Sequence, residues 1–287
     1  MIMVPDFYEQ SPGFLNYEWN FITLSGHSSK QHNNMTIQYA SDLHLEFEEN
    51  TKYLKANPID VVGDILILAG DTIYFGDRMH EADWFFDWCS ASFKQTYLIP
   101  GNHEYYGGFP MEKTITDFEL KVRDNVTYLN NKSIKIENTE LFFTTLWTRI
   151  PPEESYTIEK IMRDCRFGRF NGIKFKSRVW NILNRTCSEW LCNALAASNE
   201  THKIVVSHHC PYRDERGVKY VGKMASSAYM TDMHPLMEGS GIEYWIHGHI
   251  HLQLECSVDG INVISNPLGY VDEGEAAAFK ANAMIIL

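Results

Sequence analysis

The sequence predicts an α/β (α+β) chain in which two mixed β-sheets pack face to face between outer helices, a four-layer αββα sandwich. Three observations lead there. Short apolar runs alternate with polar, helix-like stretches from Met35 onward, one pair of runs is joined by a few polar residues in the manner of a hairpin, and two more strand-like runs close the chain.

Taken in order, residues 1–34 stand apart: several aromatics precede the polar run 25–34, so this stretch reads as an N-terminal appendage to a single domain over 35–287. Residues 36–40, 64–69, 96–99, 203–207 and 244–246 each read as a buried strand, because a strand covered on both faces shows a short continuous apolar run. The helix-like stretch 81–93 between the second and third makes a βαβ arrangement. Runs 133–136 and 141–146 flank Glu137, Asn138, Thr139 and Glu140, which predicts an antiparallel hairpin and hence a mixed sheet. Between Thr148 and Glu200 nine basic side chains face six acidic ones, and Trp180, Leu183, Cys187, Trp190, Leu191 and Leu195 follow helical spacing. That basic segment reads as a solvated helix face, with a rim or lid carrying Arg166 and Arg169 as the alternative. Runs 261–265 and 283–287 supply the last two strands.

The 287 residues carry 25 Lys and Arg against 37 Asp and Glu, a net charge of −12, with 44% hydrophobic and 22% charged residues. A chain of this size and make-up buries a substantial core. The acidic balance works against a nucleic acid or an anionic membrane as the main partner, since both need a broad positive field. No run approaches the ~18 apolar residues of a membrane helix. The first basic side chain is Lys30 and no long apolar run precedes it, which argues against a secretory signal and places the chain in the cytoplasm. Six scattered cysteines, none in a CxxC pair, read as free thiols.

The informative residues follow the strands. After the first come Ser41, Asp42, Leu43 and His44; after the second, Gly70 and Asp71; after the third, Pro100, Gly101, Asn102, His103 and Glu104. The fourth leads into His208 and His209, the fifth into His247, Gly248, His249, Ile250 and His251. In open α/β sheets, ligands collect beyond the carboxyl ends of the strands. Burying so many polar groups side by side is costly without compensation, and metal coordination is the natural compensation. Asp42 and His44 are two apart, as are His249 and His251, so each pair is expected on one face of a strand end, with Gly70, Gly101 and Gly248 allowing tight turns. Mixed Asp, Asn and His donors suit Mn, Fe, Zn, Co or Ni and need no thiolate.

This series, in this order, resembles the calcineurin-like metallophosphoesterase superfamily over about Met35 to Pro267. Three further stretches, Thr145 to Thr148, Ala228 to Asp232 and Asn266 to Tyr270, are similar to its small bacterial and phage members. Those members often carry an acidic residue after the Leu-Trp-Thr run, where this chain has Arg149. The resemblance implies two divalent metal ions, one held by Asp42, His44, Asp71 and His251 and the other by Asp71, Asn102, His208 and His249, with Asp71 bridging. It implies hydrolysis of a small phosphomonoester or phosphodiester by in-line attack of a metal-bridging hydroxide. Two divalent ions, two carboxylates and one hydroxide sum to a formal charge of about +1, which favours a phosphate ester over a neutral one. His103 is assigned as the acid serving the departing oxygen, with Glu104 orienting its ring. His208 and His209 are not separated by spacing; in similar proteins the first is the ligand, leaving His209 to face the substrate or support a ligand. His247 is expected behind the ligands, and Tyr105 and Tyr106 either line the pocket or belong to the core. The alternatives are a binding or scaffold module of the same fold, and a cyclic-nucleotide phosphodiesterase.

Overall fold

The computed structural model describes residues 35–212 and 225–287. The expected appendage over 1–34 lies outside the described residues. In chain order the strands are β1 (Thr36–Ala40), β2 (Ile65–Leu68), β3 (Gln95–Leu98), β4 (Phe118–Arg123), β5 (Val126–Asn130), β6 (Lys132–Ile136), β7 (Thr139–Thr144), β8 (Arg169–Phe170), β9 (Ile173–Lys174), β10 (His202–Ser207), β11 (Ile242–His247), β12 (Leu254–Val258), β13 (Ile261–Ser265) and β14 (Met284–Ile286). The helices are α1 (Glu48–Ala56), α2 (Asp83–Ser92), α3 (Pro152–Ile161), α4 (Arg163–Phe167), α5 (Ser177–Ala197) and α6 (His234–Met237).

One six-stranded sheet runs β14-β1-β2-β3-β5-β4 and the other β12-β13-β11-β10-β7-β6, while β8 and β9 pair as a small ribbon. Each large sheet has four parallel strands between two antiparallel edges. Two mixed sheets flanked by helices are therefore observed, as expected. Alternate side chains of the central strands explain the layering. Ile65, Ile67, Leu141, Phe143, Ile204 and Val206 fill the layer between the sheets. Their neighbours Leu66, Leu68, Phe142, Val205, Trp245 and Val263 turn outward into the core that includes Phe85, Phe86, Trp180, Leu183 and Leu191 from α2 and α5. A strand apolar on both faces is the local sequence consequence. Burying a side chain such as Phe142 completely contributes roughly 2–3 kcal/mol.

The parallel β1, β2 and β3 are joined through α1 and α2, which realises the βαβ pattern. The hairpin turn is tighter than expected. Ile136 pairs with Thr139 and Lys135 with Glu140, so Glu137 and Asn138 alone make the turn, with Glu137 at φ +54°. Sequence reading missed β4, β5, β12 and the two-residue strands β8 and β9. β4 and β12 are edge strands with alternating half-buried and exposed residues, and they lack a continuous apolar run. No described helix is long and apolar enough to cross a membrane.

Candidate metal centre

The carboxyl ends of β1, β2 and β3 in one sheet and of β10 and β11 in the other meet at one place. A ladder of backbone bonds holds the first two loops together: Asp42 N–H donates to the Gly70 carbonyl and His44 N–H to that of Asp71, both at 2.9 Å. The expected strand alternation does not aim the side chains. Asp42 (φ +53°), His44 (+49°), Asp71 (+55°), His249 (+69°) and His251 (+46°) all adopt the left-handed backbone conformation. Such conformations cost on the order of 1–3 kcal/mol each and persist where surrounding structure and function demand them. The glycines act mainly through space. A Cβ on Gly101 would lie 2.2 Å from Asp71 Oδ1, and one on Gly248 2.6 Å from Asp42 Oδ2.

All seven sequence-selected ligand candidates converge. Asp42, His44, Asp71, Asn102, His208 and His249 are buried and His251 is partly so. The donor and acceptor pattern is decisive. His44 Nδ1 faces Glu46 Oε1 at 3.0 Å and His251 Nδ1 faces Glu275 Oε2 at 2.6 Å. Each imidazole thus spends its N–H on a carboxylate and turns a lone pair inward, where the two Nε2 atoms lie 3.1 Å apart. Asp42 Oδ1 stands 3.4 Å from His251 Nε2, and Asp71 Oδ2 3.9 Å from His44 Nε2.

The other side repeats the pattern. His208 Nδ1 donates to the Ala69 carbonyl at 2.9 Å, leaving Nε2 3.0 Å from Asn102 Oδ1 and 3.4 Å from the same Asp71 Oδ2. The Asn102 amide donates to the Tyr106 hydroxyl at 2.9 Å, which fixes its oxygen toward His208. His249 has a ring nitrogen within 4.8 Å of the ligand atoms of Asp71 and His208, and its buried Nε2 has no hydrogen-bond partner. Two clusters of inward lone pairs sharing one carboxylate oxygen fit a pair of divalent cations.

Without an ion, protons occupy that role. Burial acts to lower His208 and His251, but the charges of Asp71 and Asp42 respectively outweigh it and raise them to about 9 and about 10. Burial, and then His208, hold His209 down at about 3, and burial holds His247 at about 4, so both are neutral at ordinary pH. His209 Nδ1–H donates to the Thr145 carbonyl (3.2 Å), and the ring packs on Trp147 and His249. It lies behind the centre, whereas His208 points at Asp71 and Asn102.

Glu104 does not orient His103. Its carboxylate accepts from the backbone N–H groups of Asp71, Thr72 and Gly101, at 3.1, 2.8 and 2.8 Å, and so ties the second and third loops together. The carboxylate on His103 is Glu46, 2.7 Å from Nδ1 and shared with His44. Glu46 follows His44 by two positions and was within reach of sequence reading. Glu275, far along the chain, carried no local signal. Tyr270 stacks on His44 with centroids 4.8 Å apart and brings its hydroxyl 3.4 Å from His103 Nε2.

A cavity of about 250 Å³ adjoins the centre, lined by Asp71, Asn102, His103, Tyr106, His249, His251 and Tyr270 and, from the junction of α3 and α4, by Met162, Arg163 and Asp164. Tyr105 is buried beneath it, its hydroxyl 2.6 Å from Thr114 Oγ1, and belongs to the core. Among the described residues the basic side chain lining the cavity is that of Arg163; Arg169 instead caps backbone carbonyls of residues 166–168, and Arg166 lies over the Phe167 ring.

The chain is 25% identical over 263 residues to the uncharacterized protein L509 of Acanthamoeba polyphaga mimivirus, covering 83% of this chain and 92% of that one. Among solved structures it resembles phosphopantetheinyl hydrolase (PptH) from Mycobacterium tuberculosis, with TM-score 0.62, 15% identity and coverage of 88% of this chain and 96% of the other. The sequence pattern of the calcineurin-like phosphoesterases matches residues 35–253. The chain therefore belongs to the calcineurin-like phosphoesterase family, whose members are in general metal-dependent hydrolases of phosphoesters.

Proposed function

We propose that the protein is a dinuclear metal-dependent hydrolase of a small phosphomonoester or phosphodiester. Asp42, His44, Asp71 and His251 hold one ion and Asp71, Asn102, His208 and His249 the other. The observation that carries this reading is Asp71 Oδ2, which lies 3.9 Å from His44 Nε2 and 3.4 Å from His208 Nε2. Ions such as Mn, Fe, Zn, Co or Ni supply positive charge for the phosphoryl oxygens and an ionised water near neutral pH.

The chain's own residues do the rest. His103 lines the cavity and gives Nδ1 to Glu46, which leaves Nε2 beside the Tyr270 hydroxyl. Burial acts to lower its pKa, but the charges on Asp71 and Glu46 prevail and hold it above the ordinary imidazole value. A protonated His103 is suited to give a proton to the departing oxygen. Tyr106 fixes the Asn102 amide. A cavity of about 250 Å³ is below the roughly 300–1,000 Å³ of drug-sized pockets and suits a small alcohol portion. The catalytic domain spans 35–287 with residues 1–34 as an appendage. A cytoplasmic location accords with free thiols such as those of Cys89, Cys165 and Cys187.

Purified protein loaded with Mn²⁺ is expected to hydrolyse 4-nitrophenyl phosphate or bis(4-nitrophenyl) phosphate. Absence of both bound metal and turnover favours a scaffold of the same fold. Turnover of cyclic nucleotides above these esters makes it a cyclic-nucleotide phosphodiesterase. His103→Ala is expected to lower kcat by roughly 10²–10⁴-fold with metal content retained; loss of metal contradicts its role.

A further inference from the structure

Asp164 is not used by the centre just described. It is wholly buried on α4, and among the described residues no hydrogen bond of ordinary geometry reaches either carboxylate oxygen, the polar groups beside it being the Tyr106 hydroxyl and its own backbone N–H. No basic side chain among them comes within ion-pairing distance of it; the adjacent Arg163 is exposed. Its main chain has an ordinary helical role, the carbonyl accepting from Gly168 N–H at 2.8 Å. Yet it lines the cavity with His103 and Tyr106, whose rings are 4.3 Å apart. A buried carboxylate without a donor is costly, and a donor brought by a ligand repays that cost.

Its charge tells which part of a substrate meets it. A carboxylate repels a phosphoryl group, and among the described residues the cavity lining also contains Glu273 and Glu275 against one arginine, Arg163. The group facing Asp164 is therefore a donor on the far side of the ester from the phosphorus. We propose that Asp164 is a specificity-determining residue that accepts a hydrogen bond from a hydroxyl or ammonium group on the alcohol portion of the substrate. This rests on the phosphoesterase reading and adds the chemistry of the alcohol. Tyr106 and Tyr270 supply flat walls for the short carbon chain between that donor and the ester oxygen.

The test compares glycerol 3-phosphate and O-phosphoethanolamine, which carry a donor, with phenyl phosphate, which does not. The readout is the ratio of kcat/KM for either donor ester to that for phenyl phosphate, measured on full-length Mn²⁺-loaded protein. Asp164→Ala is expected to lower the ratio about tenfold or more, the effect of losing a hydrogen bond to a charged group. General damage lowers both constants together and leaves the ratio in place. A ratio within about threefold of the wild type overturns the proposal, as does a wild type that hydrolyses phenyl phosphate but neither donor ester. Should Asp164→Ala fail to fold, Asp164→Asn takes the same comparison, with a smaller fall in the ratio expected. Failure of the wild type on every ester removes the phosphoesterase reading itself, and the proposal with it.

Discussion

His44 and His251 are braced from behind by carboxylates, Glu46 and Glu275, whereas His208 leans on the backbone carbonyl of Ala69 and shares its side with the neutral amide of Asn102. Both halves draw on Asp71, so they differ chiefly in what stands behind and beside the imidazoles. A carboxylate partner makes a ligating imidazole more basic and fixes its tautomer more firmly than a carbonyl does. The half built on Asp42, His44 and His251 is thus expected to bind its ion more tightly, and the half built on Asn102, His208 and His249 to exchange more readily.

The shared member gives the largest effect. Asp71→Ala removes an oxygen from both halves, so metal content is expected to fall from two ions per chain toward none, and kcat/KM to fall well beyond the roughly 10–100-fold that loss of an outer partner costs. Retention of one tightly held ion, measured by elemental analysis, would break the idea that the halves meet at this residue.

Acidity separates the metal-free and loaded states. In the metal-free protein His208 and His251 are raised to about 9 and about 10. For a raised histidine the stabilisation is complete below the unfolded value of about 6.5 and is lost as pH rises through the folded value. The metal-free protein is therefore expected to lose on the order of a few kcal/mol of stability between pH 7 and 10.5. Bound ions would displace these protons, so thermal unfolding of the loaded protein is expected to show a smaller loss over that interval. Equal losses in the two states would contradict the assignment of these nitrogens to the ions.

Gly101→Ala addresses the space beneath both halves. A Cβ there meets Asp71 Oδ1 at 2.2 Å and Asp71 N at 2.7 Å. Forcing atoms into a packed site costs roughly 1–3 kcal/mol, which lowers Tm, and metal occupancy is expected to drop in both halves together. Glu275→Gln sharpens the contrast by touching one half only. Its removal is expected to weaken one ion about 10–100-fold in a metal titration and to leave the other close to its original affinity. Equal weakening of both would erase the difference between the halves.

The central strands were legible because burial on both faces leaves an unbroken apolar run, as in residues 65–68 and 204–206, and the polar groups following those runs marked the centre. Edge strands such as β4 left only alternation, which short stretches outside strands also show. Within the centre, ligand candidates were readable from position in the chain, but bracing was not. Glu104, next to His103, proved to bind backbone N–H groups, while the imidazole took Glu46, fifty-seven positions earlier. Adjacent residues in a left-handed loop or a helical turn point apart, and sequence spacing does not record which side chains then meet across loops. Asp164 was counted as one acid in a basic segment, and its burial without a donor is a property of the fold alone.

The most direct test of the whole account is the number of metal ions per chain after stripping with a chelator and reloading with Mn²⁺, measured by equilibrium dialysis with elemental analysis. Two ions per chain for the wild type, with both diminished in Asp71→Ala, is the predicted result; no bound metal, or two ions undisturbed by that substitution, would contradict it.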